Sequence, residues 1–270
     1  MKFWPTCFFL IALGGASLAF PAGNCDDCHP DVKEQYENSV HGRARLKSGL
    51  IVAPACRNCH LAHSQPNKTE IPNICGKCHT GILAEYRQSI HGKDLLNNQN
   101  LDAPSCTDCH GVHVIAEASR PEAKVSQKNV IKTCSACHAV EIVMAKYGVK
   151  TAPVETYRES FHGKANLYGQ LTVANCSSCH GIHNIRRVDD PASQVSLKNL
   201  AGTCGQCHPG ALNNPNFSNV LMHVKPSQKV EPIVYYIRIF YIILIALIIT
   251  GMISHNLLDL YRRWQAGRRK

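Results

Sequence analysis

Seven copies of a C-x-x-C-H motif divide this 270-residue chain, and they constrain it more than any other feature. Within one helical turn, residues i, i+3 and i+4 share a face, so both thiols and the imidazole point to the same side. This spacing is typical of covalent heme attachment, in which the thiols bond the porphyrin and the adjacent imidazole binds iron. Zinc ribbons and redox C-x-x-C pairs are the alternative, but neither requires His directly after every second Cys. The motifs therefore predict seven covalently bound heme c groups.

The residues of the seven motifs fall into two predicted roles. The predicted heme-attachment thiols are Cys25, Cys28, Cys56, Cys59, Cys75, Cys78, Cys106, Cys109, Cys134, Cys137, Cys176, Cys179, Cys204 and Cys207. The predicted proximal iron ligands are His29, His60, His79, His110, His138, His180 and His208.

A second iron ligand is available for every motif. Eight histidines remain, and seven of them precede the C-terminal apolar segment, one per heme. Methionine is scarce, with Met144 and Met222 the only candidates in that region, so we expect bis-histidine ligation, which favours low potentials. The predicted distal ligands are His41, His63, His91, His113, His162, His183 and His223. Those that follow a proximal histidine by three residues are better placed to bind a neighbouring heme than their own.

Internal repeats organise the motifs into modules. Each module contains a C-x-x-C-H motif, a Tyr-x-x-Ser-x-His-Gly segment and a C-x-x-C-H-x-x-H motif. The predicted modules span about residues 25–66, 75–120 and 134–191, with a partial fourth at 204–223. A Val-Ser-x-Lys-Asn segment also recurs, at 125–129 and at 195–199.

The predicted fold class is mainly α and irregular, with little strand, a heme core and one C-terminal transmembrane helix. Helices are expected to flank the motifs, for instance over 30–39 and 141–146, and no alternating strand pattern is convincing. Since about 200 residues would serve seven hemes, the apolar protein core is expected to be thin, with porphyrins forming most of it.

The two ends of the chain predict its topology. Residues 1–19 resemble a signal peptide, whose cleavage would remove Cys7. An apolar run and the basic residues that follow it predict a membrane helix with a cytoplasmic C-terminus. The predicted parts are a signal peptide at 1–19, a heptaheme domain at 20–225, a linker at 226–238, a transmembrane helix at 239–260 and a cytoplasmic basic tail at 261–270. The heme domain is thus expected on the periplasmic side of a bacterial inner membrane.

The formal net charge of +10 does not indicate nucleic-acid binding. Seven hemes would add about fourteen propionate charges, which roughly cancel the basic excess.

The two-heme modules resemble the multiheme cytochrome c family that includes small respiratory electron carriers and NapC/NirT-type quinol dehydrogenases. The resemblance covers about residues 24–225, and it implies electron transfer along closely packed bis-histidine hemes. The anchor departs from the NapC/NirT pattern, because it is C-terminal here. In that respect the chain is more similar to cytochrome subunits in which a multiheme head precedes a b-type membrane part.

His255 lies within the predicted membrane helix, where an ionisable residue is costly and indicates function. Three interpretations stay open: a ligand to a b-type heme shared with a partner subunit, a contact to quinone, or a helix-packing residue. Asp259, four residues later, lies on the same helix face and could orient the imidazole.

Three functions compete at this stage. The first is a membrane-anchored electron-transfer subunit, rather than a stand-alone enzyme, between menaquinone or ubiquinone and periplasmic redox partners. It would act directly or through an integral-membrane b-type cytochrome or quinone-interacting subunit. Since the apolar run begins about 15 residues after His223, the seventh heme is expected near the membrane. The alternative is a terminal reductase of small nitrogen or sulfur oxyanions, which would need an open iron position. A structural or heme-storage protein is the third.

Overall fold

The computed structural model describes residues 25–60, 64–214, 223, 225 and 227–268, and throughout these residues it contains helices and no strand. The predicted mainly α fold is therefore confirmed. Before the C-terminal helix, no described helix is longer than nine residues. The predicted signal peptide, with Cys7, and the predicted ligand His63 lie outside the described residues.

Every complete module uses the same succession of short helices. One helix carries the first motif, the next ends before the Ser-x-His-Gly segment, another begins within that segment, and the last carries the second motif. In the second module these are Ile71–Gly76, Thr80–Gln88, Ile90–Leu96 and Cys106–His110. In the first module they are Cys25–Cys28, Pro30–Asn38, Val40–Gly42 continued by the π-helical turn Arg43–Lys47, and Cys56–Cys59.

The third module adds one helix to this order, and the fourth is partial. The helices of the third module are Val130–His138, Glu141–Met144 with the 3-10 turn Ala145–Tyr147, Ala152–Glu159, Phe161–Leu167 and Cys176–His180. Those of the partial module are Leu197–Gly205 and the 3-10 turn Ala211–Asn213. The helices predicted at 30–39 and 141–146 are thus present with nearly the expected bounds.

The Ser-x-His-Gly segment is a helix start whose chemistry explains its sequence. Ser89 precedes the first residue of its helix, and its hydroxyl accepts a hydrogen bond from the Gly92 amide at 2.9 Å. The same hydroxyl donates to the Tyr86 carbonyl at 2.6 Å. A Cβ on Gly92 would overlap that carbonyl oxygen, so only glycine fits there. These contacts recur in the other two modules and fix the distal histidine in the first helical turn.

The repeated tyrosines have a role that the sequence did not reveal, beyond packing. The Tyr86 hydroxyl donates to the Pro104 carbonyl at 2.7 Å, two residues before the first cysteine of the second motif. Tyr36 makes the same bond to Pro54, and Tyr157 makes it to Ala174. Each tyrosine therefore fastens the helix start that bears a distal histidine to the second motif of the same module.

The Val-Ser-x-Lys-Asn repeat is also explained by side-chain bonds. The Asn129 carboxamide donates to the carbonyls of Pro121 and Ala123, at 2.7 and 2.9 Å. Asn199 makes the equivalent two bonds to Pro191 and Ser193. Both copies therefore fold the loop before a C-x-x-C-H helix in the same way.

The apolar protein core is thin, as predicted. Among the described residues only ten hydrophobic side chains are buried, and five of them are alanines. Leu95 is the largest of those with no exposed surface. A head of this size normally buries much more apolar side-chain volume when protein alone forms the core.

The chain separates into two compact units. The first comprises residues up to Gln65 together with His113–Ile115, and the second comprises Pro66–Val112 and Ala116 onwards. The first module therefore incorporates a three-residue segment that follows the fourth motif in the chain. Within this unit the Val40 amide donates to the Ile115 carbonyl at 2.7 Å.

The C-terminal helix, Pro232–Arg268, has 37 residues, none of them buried within the chain. Its mean hydropathy reaches 2.4, and it is the one described helix long and apolar enough to span a membrane. It begins six residues inside the predicted linker, because proline suits the first turn of a helix, and it continues through the predicted basic tail. Tyr241 and Tyr261 lie about 30 Å apart along it, which matches two interfacial aromatic belts around a hydrocarbon core.

Candidate metal centres

Five pairs of imidazole rings form the most regular feature of the helical head. In every pair a motif histidine faces a histidine from outside its own motif, with ring centroids 6.0–6.2 Å apart. The pairs are His60–His113, His91–His138, His110–His183, His162–His208 and His180–His223.

This separation is too wide for ring stacking but fits one metal atom between two nitrogens. An imidazole nitrogen binds a metal at about 2.0 Å and lies about 1.1 Å from its ring centroid, so two axial imidazoles have centroids about 6.2 Å apart. In the described residues no group of three or more His, Cys, Asp or Glu side chains is arranged around a metal position. Two imidazoles suffice as protein ligands when a porphyrin contributes the other four nitrogens.

The partners in these pairs come from different modules, in two fixed patterns. A histidine of the Ser-x-His-Gly type faces the first motif of the next module, as His91 faces His138. A C-x-x-C-H-x-x-H distal histidine faces the second motif of the preceding module, as His183 faces His110.

Glycine redirects the chain between the two histidines of a C-x-x-C-H-x-x-H motif. Gly111 and Gly181 follow their proximal histidines with φ of +89° and +83°, a conformation that side chains rarely adopt. The helix ends there, and the next histidine turns away towards another module. This is why two histidines only three residues apart can face histidines of two different segments.

Three of the paired rings are oriented through their Nδ1 atoms. Nδ1 of His60 lies 3.3 Å from the Ser64 carbonyl oxygen, and Nδ1 of His183 lies 3.7 Å from a Glu85 carboxylate oxygen. The His223 ring lies beside the helix Ala152–Glu159, with its Nδ1 3.4 Å from the Thr156 hydroxyl. Engagement of Nδ1 fixes the tautomer and leaves Nε2 towards the facing histidine, the usual arrangement of a metal-bound histidine.

A backbone hydrogen bond connects the segments that carry two predicted distal histidines, His91 and His183. The Ile90 amide, next to His91, donates to the carbonyl of Ile185, two residues after His183, at 2.8 Å. The bond from Val40 to Ile115 is its counterpart in the first unit. Each such bond places a Ser-x-His-Gly histidine beside a C-x-x-C-H-x-x-H histidine, and of these His91 and His183 face different motifs.

Burial favours the neutral, metal-binding form of eight paired imidazoles by lowering their pKa. It lowers the pKa of His91 to about 4, with a further contribution from the facing His138. Burial also lowers the pKa of the other paired histidines His110, His113, His138, His162, His180, His183 and His223.

None of the motif thiols forms a disulfide within the described residues, and the first thiols of successive motifs adjoin. The Cys75 thiol hydrogen-bonds to the Cys106 thiol, and this contact lowers the pKa of Cys75 and raises that of Cys106. Cys134 and Cys176 make the same contact, as do Cys25 and Cys56. Within a module, therefore, the first thiols of both motifs meet, whereas the histidine pairs connect different modules.

Large apolar side chains next to the paired histidines are exposed. Phe161, adjacent to His162, is 77% exposed, and Ile182, between His180 and His183, is 69% exposed. A thin core beside such apolar surfaces, with imidazole pairs at the separation of axial ligands, fits a large planar apolar group. The residues present therefore suit porphyrin on geometry, donor type and apolar lining.

The remaining predicted ligands are only partly placed. His29, His41 and His79 lie within the described residues, and His79 lies near enough to His110 and His183 to add to the lowering of their pKa values by burial. Two motif histidines, His29 and His79, and two predicted distal ligands, His41 and His63, are thus not members of the five pairs.

His255 lies exposed on the membrane helix. Asp259, four residues later, forms an ion pair with Arg263 at 2.9 Å.

His223 contacts a helix of the third module. Its Nδ1 lies 3.4 Å from the Thr156 hydroxyl, and its ring also bonds to the Pro153 carbonyl. Lys225 forms an ion pair with Glu155 at 2.7 Å. His223 faces His180 of the sixth motif. On sequence, His223 is expected to place the seventh heme near the membrane, but in the structure it faces the histidine of the sixth motif.

Comparison with known proteins identifies no relative: no protein-family model, no curated protein and no solved structure matches the chain. The fold and the candidate site define a mainly helical protein with seven C-x-x-C-H motifs. Its described residues contain at least five pairs of facing imidazoles and one helix long and apolar enough to span a membrane.

Proposed function

We propose that this chain is a membrane-anchored periplasmic heptaheme c-type cytochrome that carries electrons between membrane quinone and periplasmic acceptors. The observation that carries the proposal is the set of five imidazole pairs, each at the separation of two axial ligands. Each pair includes the histidine of a C-x-x-C-H motif, so attachment and ligation converge on one position.

A bound heme supplies an iron that accepts and releases one electron. The two histidines of each observed pair would both hold the iron, which would leave no position for a substrate at those five sites. The Nδ1 contacts of His60, His183 and His223 hold the rings and limit reorganisation when the iron charge changes. These features favour conduction over chemistry at the metal.

Neighbouring attachment sites support transfer along the second unit. Cys75 contacts Cys106, and Cys134 contacts Cys176. Burial raises the pKa of Cys109, with added contributions from Asp108 and the nearby Cys137. Burial also raises the pKa of Cys179, with further contributions from the nearby Cys204 and Cys207. Motifs three to seven therefore form one series of adjoining sites.

The membrane end of the chain supports an exchange of electrons with quinone. His223 and Lys225 are both held by the helix Ala152–Glu159, and the membrane helix begins only seven residues after Lys225. A fully extended chain of that length spans at most about 25 Å. The His180–His223 site is thus tethered close to the membrane. An integral-membrane b-type cytochrome, with His255 as a shared heme ligand or quinone contact, is the partner this arrangement suits.

The test is to purify the full-length protein in detergent after expression in a host with cytochrome c maturation. Mass spectrometry and a pyridine hemochrome assay should give seven covalent hemes per chain, and the oxidised spectrum should be low-spin. In membranes, a menaquinol or ubiquinol analogue should reduce these hemes. Fewer than seven hemes, or hemes that no quinol or low-potential donor reduces, would contradict the proposal.

The same preparation tests the terminal-reductase alternative. Turnover of nitrite or sulfite together with a high-spin ferric component would favour a reductase. Low-spin hemes without such turnover would favour the electron-transfer subunit.

A further inference from the structure

The relative orientation of the facing imidazole planes divides the five sites into two classes. Three pairs are closer to parallel, with interplanar angles of 32°, 20° and 21° for His60–His113, His110–His183 and His180–His223. Two pairs are tilted, at 48° and 51° for His91–His138 and His162–His208.

The two classes coincide with the source of the distal histidine. In both tilted pairs the distal residue lies in the first turn of a helix, after the capping serines Ser89 and Ser160. In two of the near-parallel pairs it follows a C-x-x-C-H motif by three residues. His223, in the third, approaches from the segment before the membrane helix.

The local backbone explains why a site keeps its angle. A Ser-x-His-Gly histidine is fixed in a helical turn by the serine cap and by the glycine that packs on the tyrosine carbonyl. A C-x-x-C-H-x-x-H histidine follows a left-handed glycine, as at Gly181, and is oriented from outside, as His183 is by Glu85. The two backbone contexts therefore give the distal imidazole plane different angles relative to the plane of the facing imidazole.

The angle between axial imidazole planes has an electronic consequence. Each imidazole donates π density from an orbital perpendicular to its plane. When the planes are nearly parallel, both rings act on the same iron d orbital, and the two orbitals of the d(π) pair are strongly split. When the planes are tilted, the donation is shared and the splitting falls. Low-spin ferric heme with smaller splitting has a more axial EPR signal with a larger maximum g value.

We infer that the protein carries two electronically distinct classes of bis-histidine heme, assigned by motif: Ser-x-His-Gly sites have the larger maximum g value and C-x-x-C-H-x-x-H sites the smaller. This inference rests on the proposed function, because it requires heme at the paired histidines. In the second unit, motifs four to seven then alternate between near-parallel and tilted sites. The backbone bond between Ile90 and Ile185 joins one distal ligand of each class.

The experiment is low-temperature EPR of the fully oxidised full-length protein, followed by substitutions that keep the iron six-coordinate. His91→Met should remove one heme from the class with the larger maximum g value, and His183→Met should remove one from the other class. Each variant should also gain the far-red absorption band of His/Met ligation in one heme. His162→Met provides a second test of the tilted class, and Gln265→Ala on the C-terminal helix should leave both classes unchanged.

Particular outcomes overturn the inference. If both His91→Met and His183→Met deplete the same class, or if all seven low-spin hemes give one class of signal, the assignment by motif is wrong. That result leaves the proposed function intact, since the hemes are still attached and low-spin. Absence of covalent heme, or a high-spin wild-type protein, would instead overturn the proposed function as well.

Discussion

The imidazole rings of His110 and His183 lie 6.1 Å apart and within 20° of parallel, although the two residues belong to different modules. His110 completes the fourth motif, and His183 follows the sixth. A neighbouring module thus contributes the facing histidine at this site. An isolated module is expected to lack part of its ligand set, so the modules of the second unit depend on one another.

The pairing of His183 with the fourth motif predicts a position-specific effect. His183→Ala should convert one of seven hemes to a high-spin form, because a five-coordinate iron remains at His110. In a protein whose fourth motif carries Cys106→Ser and Cys109→Ser, no heme is attached there and His183→Ala should add no high-spin signal. With Cys176→Ser and Cys179→Ser instead, the signal should persist. The reverse dependence would show that His183 serves the sixth motif, and optical and EPR spectra distinguish the cases.

Glu85 is expected to tune the same site. Its carboxylate lies 3.7 Å from Nδ1 of His183, and an anionic partner makes an imidazole more basic and stabilises ferric iron. Glu85→Gln should therefore raise the potential of one heme, by less than about 40 mV because the carboxylate is half exposed. Glu141→Gln, whose carboxylate accepts a bond from Thr151, is the matched control. A redox titration that shows the same curve for Glu85→Gln and the wild type would contradict this role.

The Tyr86 hydroxyl should contribute to stability. Tyr86→Phe removes its bond to the Pro104 carbonyl and leaves a partly buried acceptor unpaired, at a cost of about 1 kcal/mol. The melting temperature, followed by circular dichroism of the heme bands, should fall. Tyr168→Phe changes a phenol that is 83% exposed and should have no effect. An equal change in melting temperature for the two variants would mean that the bond from Tyr86 to Pro104 does not contribute to stability.

The backbone bond from Ile90 can be removed without changing the helix. Ile90 is the first residue of its helix, where proline is favoured, and Ser89 already has the extended conformation that precedes proline, with φ −69° and ψ 161°. Ile90→Pro should loosen both His91 and His183, and two hemes should change their EPR signals. Ile90→Ala keeps the amide donor and should change neither. A change confined to one heme would show that the bond does not link the two ligands.

Acid should destabilise the folded protein through its buried imidazoles. Burial lowers the pKa of His91 from 6.5 to about 4, so between these values the unfolded chain binds more protons than the folded one. The stabilisation from neutral His91 is therefore fully present above pH 6.5, and about 3 kcal/mol of it is lost as the pH falls to 4. Iron bound at this site would hold the ring neutral to still lower pH and extend the loss below pH 4. Melting temperatures across this range should fall less steeply for His91→Met, which does not titrate. Parallel slopes would contradict the effect.

The sequence alone predicted the attachment chemistry, because C-x-x-C-H is a local pattern whose spacing within one turn aligns its groups. The same locality made the helical fold, the thin core and the membrane helix predictable. Local pattern also favoured a neighbouring heme for distal histidines that closely follow a proximal one, since such a residue cannot easily reach the far side of the same heme.

Only the tertiary structure decided which histidine faces which motif. Nothing near His223 in the chain indicates that it faces His180, because the pairing depends on contacts with Thr156 and the Pro153 carbonyl. The angles between ring planes, and the roles of Glu85 and the Tyr86 hydroxyl, likewise depend on residues that are distant in sequence. Ligand type follows from local composition, whereas pairing and orientation follow from how separate modules pack together.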